Sequence, residues 1–380
     1  MKIISVVGAR PNFMKVAPFC RALKVYPDVQ HILVHTGQHY DVRMSEQFFK
    51  ELDIPNPDIN LEIGSGSHAE QVGKTMIAFE KVLRKEKPDW VVVLGDVNAT
   101  CACSITAKKE HVKCAHIEAG LRSRDMDMPE EINRLVTDRL SDLLFTPDRL
   151  SNANLKGEGV PDDKIKFVGN IMIDTLERER EKAAALDINQ IVCDNLIDEQ
   201  AGRDVPAFEE CAYVAMTMHR PSNVDQRETL EPAIRFFLDE VAKERPIVWA
   251  IHPRAQKMLK DFGLWDEVVT NNNMILVKPL GYHAMLRLNM GARLFMTDSG
   301  GLQEECCVLG TPCLTMRWNT ERPITLMENG GASILVGNAV GKMREAYHSQ
   351  IDAPRHAMRP ELWDGHTAER IAKELVGAAG

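Results

Sequence analysis

The sequence predicts an α/β protein with two Rossmann-like domains, each built on a doubly wound parallel sheet. Two features of the chain support this prediction. Short apolar runs rich in β-branched residues alternate with helical patterns, which is typical of repeated βαβ units. The chain is also 380 residues long, which exceeds one ordinary domain and fits two domains of roughly 150 to 200 residues.

The first half of the chain supplies one complete set of these units. The strand KIISVV precedes a helical pattern over residues 11–25, and the strand QHILVHT precedes a longer helical pattern over residues 68–87. Further strands are expected at WVVVLG, VKCAHIE, DLLFT and IKFVGN. Ligands of such sheets bind at the carboxyl ends of the strands, so the loops after these runs are the candidate site.

The second half repeats the alternation. Strands are expected at AYVAMTM, PIVWAI, MILVK, RLFMTD and TPCLTM, with helices that begin near Gln226, His283 and Gly301. A charged helical stretch over residues 174–195 and an acidic region ending near Pro206 connect the halves. We therefore expect a first domain over residues 1–172, a second over residues 173–365, and a final helix within residues 366–380 that packs back on the first domain.

Composition narrows the class of protein. A net charge of -9 without a basic stripe argues against a nucleic-acid partner. The chain contains no apolar run near the ~18 residues of a membrane span, and its start resembles a strand more than a signal peptide, so a cytoplasmic protein is expected. The nine cysteines form no CxxC pair or zinc-type cluster, which predicts reduced core thiols and no metal site.

Two loops carry candidate groups for an anionic ligand. GARPNFMK follows the first strand, and Arg10 and Lys15 stand where a dinucleotide-binding loop has glycines, so no nicotinamide cofactor is expected. These cations flank a helix start at Pro11 and suit a charged substrate group; the alternative is that both are solvated. In MTMHRPSN, His219 and Arg220 can bind phosphate oxygens, and His219 can assist departure of a phosphate leaving group.

Three further segments have alternative readings. In TDSGGLQEE, Ser299, Gly300 and Gly301 favour a phosphate at a helix start, with Glu305 placed to bind ribose hydroxyls; the alternative is an ordinary helix cap. Asp96 in GDVNAT either caps the next helix or is a site carboxylate. His252 in AIHPR and His219 are also compatible with purely structural histidines.

The most distinctive feature is the order of motifs along residues 1–337. This order is GARPNFMK, GQHYD, LGDVNAT, HIEAGLRS, MPEEINR, MHRP, HPR, PLGY, TDSGGLQEE and NTERP. In these motifs the chain resembles the non-hydrolysing UDP-N-acetylglucosamine 2-epimerases. The resemblance implies a GT-B architecture with the active site in the cleft between two domains. It also implies reversible conversion of UDP-N-acetylglucosamine to UDP-N-acetylmannosamine through elimination of UDP, a 2-acetamidoglucal, and re-addition.

The resemblance also assigns roles to residues. It makes Asp96, Glu118, Glu130 and His219 catalytic, with Asp96 and Glu130 the candidates for C2 proton transfer and Glu118 holding the sugar or stabilising charge at C1. The implied ligand contacts are Arg10, Lys15, Arg220, His252, Tyr282, Ser299, Gly300, Gly301, Glu305 and Arg322. The remaining acids of the charged segment, Asp125, Asp127 and Glu131, receive no role and are expected to be solvated or paired with Arg122, Arg124 or Arg134.

Several alternatives stay open on the sequence. A hydrolysing 2-epimerase or an epimerase of a UDP-diacetamido sugar acid would share these motifs, and a GT-B glycosyltransferase or a silent nucleotide-sugar sensor would share the fold. Asp41 stands near the place where regulated bacterial members have a glutamine, so the resemblance does not extend to allosteric control. No cofactor is expected. A homodimer, with room for an interface at residues 76–83, and a role in cell-surface polysaccharide biosynthesis are further expectations.

Overall fold

The computed structural model describes residues 1–37 and 49–378, apart from the side chains of Arg10 and Pro11. Gln38 and Asp41 of the GQHYD motif lie outside the described residues. The chain divides into two compact units, the first of Met1–Arg178 with Pro360–Gly380 and the second of Glu179–Arg359. The sequence prediction places its boundaries at residues 172 and 365 instead. Among the described residues, no helix combines the length and apolar character needed to cross a membrane.

The first unit contains a parallel sheet in the order β3-β2-β1-β4-β5-β6-β7. Its strands are β1 (Lys2–Val7), β2 (Gln30–His35), β3 (Ile59–Asn60), β4 (Trp90–Leu94), β5 (Lys113–Ile117), β6 (Leu143–Thr146) and β7 (Ile165–Phe167). The described helices up to Gly157 are α1 (Arg10–Leu23), α2 (His68–Glu86), α3 (Asn98–Lys109), α4 (Pro129–Leu140) and α5 (Arg149–Gly157). The strand order reverses direction between β1 and β4, so the loops after these two strands lie at the switch point where ligands of such sheets bind.

The second unit contains a parallel sheet in the order β10-β9-β8-β11-β12-β13. Its strands are β8 (Val214–Thr217), β9 (Ile247–Ala250), β10 (Met274–Val277), β11 (Leu294–Thr297), β12 (Cys313–Thr315) and β13 (Ser333–Leu335). The helices that follow α5 are α6 (Ile171–Ala184), α7 (Ile188–Asn195), α8 (Pro221–Val224), α9 (Arg227–Phe236), α10 (Ala242–Glu244), α11 (Pro253–Asp261), α12 (Trp265–Thr270), α13 (Tyr282–Gly291), α14 (Gly300–Leu309), α15 (Val340–Gln350) and α16 (Thr367–Gly377).

The central strands are apolar on both faces because helices cover both sides of each sheet. Along β8, Val214 and Met216 pack in one buried cluster, whereas Ala215 packs in another on the opposite face. Successive side chains of a strand point to opposite faces, so one strand contributes to both cores. The resulting continuous apolar runs are the signal that predicts these strands, and the two-sheet α/β prediction is confirmed.

The structure differs from the predicted elements at two edge strands and at one long helical stretch. The strands Ile59–Asn60 and Ser333–Leu335 were not predicted, because two or three residues at the edge of a sheet leave too short a pattern. The predicted helical stretch over residues 174–195 is two helices. The second begins after Asp187, whose side chain accepts a 2.9 Å hydrogen bond from the Asn189 N–H and caps it.

Helix α16 packs against α1 within the first unit. Its start is held by the buried carboxylate of Asp174, which accepts hydrogen bonds from the N–H groups of Thr367 at 3.0 Å and Ala368 at 2.7 Å. Just before α16, the Trp363 indole N–H donates to the Pro147 carbonyl at 2.9 Å. The last segment of the chain is thereby fixed to the first unit.

Candidate active site

Glu118 and Lys15 form a buried ion pair at the carboxyl ends of two central strands. Glu118 directly follows β5, and Lys15 projects from α1, which follows β1. The Lys15 Nζ contacts Glu118 Oε2, and the two side chains are only 5% and 3% exposed. The alternative that Lys15 is a solvated surface residue is therefore wrong. Glu118 has a φ of 71°, a left-handed conformation that costs a non-glycine residue of order 1 kcal/mol.

Gly95 brings the loop of Asp96 against this ion pair. It has a φ of 64°, and a Cβ at this position would lie 2.9 Å from Lys15 Nζ and 3.5 Å from Glu118 Oε2. A side chain there would displace the ammonium group, so the turn after β4 requires glycine for both conformation and space. The residue that follows, Asp96, is consequently a near neighbour of Glu118.

Asp96 is held by an arginine and does not cap a helix. The cap position of α3 is Val97, and Asp96 Oδ2 instead accepts a 2.5 Å hydrogen bond from Arg134 Nη1. Arg134 is buried with its side chain 1% exposed, whereas the Asp96 side chain is 26% exposed. The second guanidinium nitrogen, Nη2, donates to Glu131 Oε2 at 2.7 Å. A buried Glu131–Arg134 pair thus positions Asp96 and leaves part of its carboxylate open.

Two adjacent glutamates at the start of α4 differ completely in environment. Glu131 is buried and accepts hydrogen bonds from the N–H groups of Ser123 at 3.0 Å and Arg124 at 2.9 Å. Burial opposes its ionisation, but these N–H groups and Arg134 outweigh burial and lower its pKa. Glu130 is partly exposed, and no hydrogen bond or ion pair joins its side chain to another residue of the described chain.

The position of Glu130 on α4 relates it to Asp96. Glu130 and Arg134 are four residues apart and so share one face of the helix. Because the Arg134 guanidinium contacts Asp96, that face is directed towards the turn after β4. Glu131 is paired with Arg134, as expected for the acids without an assigned role, while the Glu130 carboxylate has no partner in the part of the chain that the structure describes.

A buried histidine in β5, His116, contacts the turn that carries Gly95. His116 is fully buried, with Nδ1 2.6 Å from Asp138 Oδ1 and Nε2 2.8 Å from the Gly95 carbonyl oxygen. Asp138 Oδ2 accepts from Arg122 Nη1 at 2.7 Å and from the Gly120 N–H at 3.0 Å. Burial raises the pKa of Asp138, but His116 and Arg122 outweigh burial and lower it overall. His116 therefore anchors the Gly95 turn from below.

In the second unit, His219 is paired with Asp298. His219 follows β8, and Asp298 follows the neighbouring strand β11. The His219 Nδ1 lies 2.7 Å from Asp298 Oδ1, and the His219 side chain is 42% exposed while Asp298 is completely buried. Arg220 donates its Nε–H to the Asp298 carbonyl at 2.9 Å. His252 is exposed, its ring lies 5.6 Å from that of His219, and its Nδ1 accepts the Arg254 N–H at 3.1 Å.

The TDSGG segment forms the start of α14. Ser299 occupies the cap position, but its side chain makes no capping hydrogen bond. A Cβ on Gly300 would lie 2.8 Å from Glu321 Oε1 and 2.9 Å from Arg322 Nη1, so a side chain here would require the ends of these two side chains to shift. Arg322 is itself buried, with its Nε 2.8 Å from Glu304 Oε1. The helix start thus combines open backbone N–H groups with a nearby guanidinium, which favours an anion.

Glu305 is the buried acid expected to bind ribose. Burial raises the pKa of its carboxyl to about 7, although Tyr282 and Asn289 beside it oppose the shift. Tyr282 opens helix α13 and is buried. Gly301 lies in the first turn of α14, and Arg10 is the first residue of α1, although its side chain is outside the description. Among the described residues there is no cluster of His, Cys, Asp and Glu that could hold a metal ion.

Comparisons with known proteins identify the family of this chain. A family model described as UDP-N-acetylglucosamine 2-epimerase matches residues 21–376. The chain belongs to this family. It is 41% identical over 382 residues to the UDP-N-acetylglucosamine 2-epimerase of Methanocaldococcus jannaschii, with 99% of both chains covered. It is 35% identical over 378 residues to the UDP-2,3-diacetamido-2,3-dideoxy-D-glucuronate 2-epimerase of Pseudomonas aeruginosa, again with 99% of both chains covered.

Solved structures of the family extend the likeness to the fold. The crystal structure of the Methanocaldococcus jannaschii enzyme in complex with UDP-GlcNAc and UDP has a TM-score of 0.89 at 40% identity. The match covers 99% of this chain and 100% of that chain. Together with the two parallel sheets, this likeness shows a two-domain fold of the GT-B type.

Sequence reasoning missed several residues of this region. Asp298 and Arg134 were not assigned, although they contact His219 and Asp96, which were. The pair of His116 with Asp138, which contacts the Gly95 carbonyl, was not assigned either. A signal existed for Asp298, because it stands at the end of an apolar run directly before Ser299. For Asp138 and Arg134 the sequence offers only helical spacing from Glu130 and Glu131. Their partners lie at distant positions in the chain, which a single sequence does not reveal.

Proposed function

We propose that the protein interconverts UDP-N-acetylglucosamine and UDP-N-acetylmannosamine by reversible inversion at C2, without hydrolysis. The observation that carries the proposal is the pair of carboxylates in the first unit. Asp96 is positioned by Arg134 but partly open, and the Glu130 side chain has no hydrogen bond or ion pair within the described residues. Two acid–base groups are what an inversion needs, since one must remove a proton and another must return it. Family membership and the UDP-GlcNAc and UDP bound by the Methanocaldococcus jannaschii relative support the choice of substrate.

The chemistry of the sugar decides the order of steps. The C2 hydrogen is not next to a carbonyl group, so direct removal as a proton would be very slow. In our proposal the C1–O bond breaks first, its electron pair leaves with UDP, and positive charge develops at C1. A carboxylate then takes the C2 proton, and the C1–C2 double bond of 2-acetamidoglucal forms. Re-addition of UDP at C1 and delivery of a proton to the other face of C2 complete the inversion.

Each group in the first unit has a role in this scheme. Glu130 and Asp96 exchange protons with the two faces of C2. Glu118, fixed by Lys15, holds the sugar or stabilises positive charge at C1, because a preorganised carboxylate offsets charge that develops nearby. The buried pair of Glu131 and Arg134 keeps Asp96 in place.

Groups in the second unit retain UDP. His219 and Arg220 bind the β-phosphate, and His219 assists its departure. The N–H groups at the start of α14, at Ser299, Gly300 and Gly301, bind phosphate oxygens. Glu305 accepts hydrogen bonds from the ribose hydroxyls. The further ligand contacts in this proposal are Arg10, His252, Tyr282 and Arg322.

The specific substrate has one competing candidate. The 35% identity to the UDP-2,3-diacetamido-2,3-dideoxy-D-glucuronate 2-epimerase favours a UDP-diacetamido sugar acid as the alternative. That substrate carries a carboxylate at C5, which would call for an additional cation beside the sugar. A hydrolysing enzyme would use the same elimination but admit water to the glycal. We also propose that the enzyme is a cytoplasmic homodimer that uses no cofactor.

Incubation with UDP-N-acetylglucosamine in D2O, without NAD, tests the proposal by NMR. We expect UDP-N-acetylmannosamine with deuterium at C2, and deuterium appearing in the remaining substrate as the reaction approaches equilibrium. Product without deuterium would contradict proton exchange at C2. Free N-acetylmannosamine and UDP as the only products would identify the hydrolysing alternative. Parallel incubation with the UDP-diacetamido sugar acid, compared by kcat/KM, decides between the two substrates.

A further inference from the structure

Asp298 contacts the proposed catalytic residue His219 but has no role in the proposed function so far. The imidazole is 42% exposed, whereas the carboxylate beside it is completely buried. Asp298 Oδ1 is 2.7 Å from His219 Nδ1 and takes no hydrogen bond from any other group of the described chain. One oxygen of a buried carboxylate is therefore reserved for one nitrogen of the histidine ring.

The other oxygen fixes Asp298 itself. Its Oδ2 accepts hydrogen bonds from the N–H groups of His219 at 2.9 Å and Arg220 at 2.7 Å. It also accepts one from Asn223 Nδ2 at 3.1 Å, and Asn223 in turn donates to the Met316 carbonyl at 2.9 Å. The carboxylate is thus fixed to the turn that carries His219, and its orientation does not depend on the imidazole.

These contacts determine the protonation state of the pair. Burial alone would raise the pKa of Asp298, but His219 and the surrounding N–H groups outweigh burial and lower the pKa to about 2. An ionised carboxylate only accepts hydrogen bonds, so the proton between the two groups resides on Nδ1. Nε2 is on the opposite side of the ring and is left for a ligand. Among the described residues, the titratable groups beside this pair are Arg220, whose Nε–H donates to the Asp298 carbonyl, and His252, whose ring lies 5.6 Å from that of His219.

We propose that Asp298 is the positioning residue of His219, fixing the Nδ1–H form so that Nε2 is directed at the departing β-phosphate. This inference rests on the proposed function. When the C1–O bond breaks, the imidazolium transfers its Nε2 proton to the phosphate oxygen that leaves C1, and the ring remains neutral with its Nδ1 proton on the Asp298 side. When UDP adds back, that oxygen bonds to C1 and the proton returns to Nε2.

Asp298→Asn tests the arrangement because it keeps the size of the side chain. An amide placed towards the ring donates a hydrogen bond, which favours the form with Nδ1 unprotonated and Nε2 protonated. We expect kcat to fall about 100-fold, with a change in the pH profile of kcat and little change in KM. Asn223→Ala is the matched control: it removes a different hydrogen bond of Asp298, so thermal stability should fall while the pH profile keeps its shape.

A double-mutant cycle separates positioning from a structural role. If Asp298 acts through His219, Asp298→Asn should cause little further loss of kcat in a His219→Asn background. Equal losses in both backgrounds would overturn the inference. Histidine 15N NMR of the wild-type protein gives a readout that does not need catalysis and does not need the Asp298→Asn variant. When the ring is neutral, the signal absent from His219→Asn should report Nδ1 protonated, and a neutral ring protonated at Nε2 would contradict the proposal whether or not the enzyme is an epimerase.

Discussion

Two histidine–aspartate pairs, one in each unit, have similar distances and opposite environments. The His116–Asp138 pair is buried on every side, and both ring nitrogens face an acceptor, a carboxylate on one side and the Gly95 carbonyl on the other. Both ring nitrogens of His116 are therefore engaged within the first unit. In the His219–Asp298 pair, only one nitrogen faces the carboxylate and the ring is 42% exposed.

This difference shows that a histidine–aspartate contact is not by itself a sign of catalysis. Both ring nitrogens of His116 contact other groups of the first unit, so neither is available to a ligand. These contacts hold the Gly95 turn in place. His219 keeps one nitrogen available and is oriented by a partner that is fixed independently. The adjacent glutamates of α4 repeat the contrast, since Glu131 is saturated with hydrogen bonds and Glu130 has none within the described chain. We infer catalytic roles for the groups that remain open.

Of the substitutions considered, one in the pair of adjacent glutamates, Glu130 and Glu131, should give the largest change in turnover. Glu130→Gln removes an acid–base group and should lower kcat by about 100-fold to 10,000-fold, with UDP affinity and thermal stability close to wild type. Initial rates and isothermal titration with UDP measure both quantities. Wild-type turnover in this variant would remove Glu130 from the mechanism.

Glu131→Gln is the matched control one residue away. It leaves buried donors without an ionised acceptor, so the free energy of unfolding should fall by about 1–3 kcal/mol. Urea denaturation measures this change. An unchanged stability would mean that the Glu131 network contributes little to holding the loop and Asp96.

Substitution of the two histidines should likewise separate a loss of turnover from a loss of stability. His219→Asn should lower kcat by about 100-fold with little loss of stability, because the removed ring is half exposed and acts on the ligand. His116→Asn removes a buried partner of the Asp138 carboxylate and should lower the free energy of unfolding by about 3 kcal/mol, with a smaller loss of kcat. If His219→Asn were the less stable of the two variants and His116→Asn the less active, the assignment of the pairs would be reversed.

Glu305 should give the smallest effect, a change in proton binding. Its pKa is raised to about 7, so a large part of this carboxyl is protonated at pH 6. Ribose hydroxyls donate to the ionised form, so UDP binding should release most of one proton from Glu305 at pH 6 and little at pH 8. UDP affinity should accordingly rise with pH and level off above pH about 7. Calorimetry in buffers of different ionisation enthalpy measures the number of protons released when UDP binds. Glu305→Gln should abolish the proton release that comes from Glu305, whereas any release that comes from UDP itself should remain.

Much of the fold follows from local sequence patterns. Continuous apolar runs such as WVVVLG predict central strands because both faces of each sheet are covered by helices. The edge strands at Ile59–Asn60 and Ser333–Leu335 are too short to leave such a pattern. The break before Ile188 escaped prediction because the charged periodicity of the region continues across Asp187, which caps the second helix.

The residues of the candidate site also differ in how far the sequence predicts them. Residues at the carboxyl ends of strands, such as Asp96, Glu118 and His219, stand out because their position follows from the strand pattern. Residues that act by contact across the sequence do not, since Arg134 meets Asp96 across 38 positions and Asp298 meets the His219 N–H across 79. The left-handed conformation of Glu118 also has no signal in the sequence, because the pattern at that position would accommodate an ordinary strand end.

The central claim is that the bond between C1 and UDP breaks during inversion at C2. UDP-N-acetylglucosamine carrying 18O in the oxygen that bridges C1 and the β-phosphorus tests it directly. Once UDP is released within the site, its terminal phosphate oxygens can exchange places before re-addition. We predict that 31P NMR of the recovered substrate and product shows 18O spread into the non-bridging positions of the β-phosphate. Retention of all 18O in the bridge, while deuterium from D2O enters C2, would contradict the account.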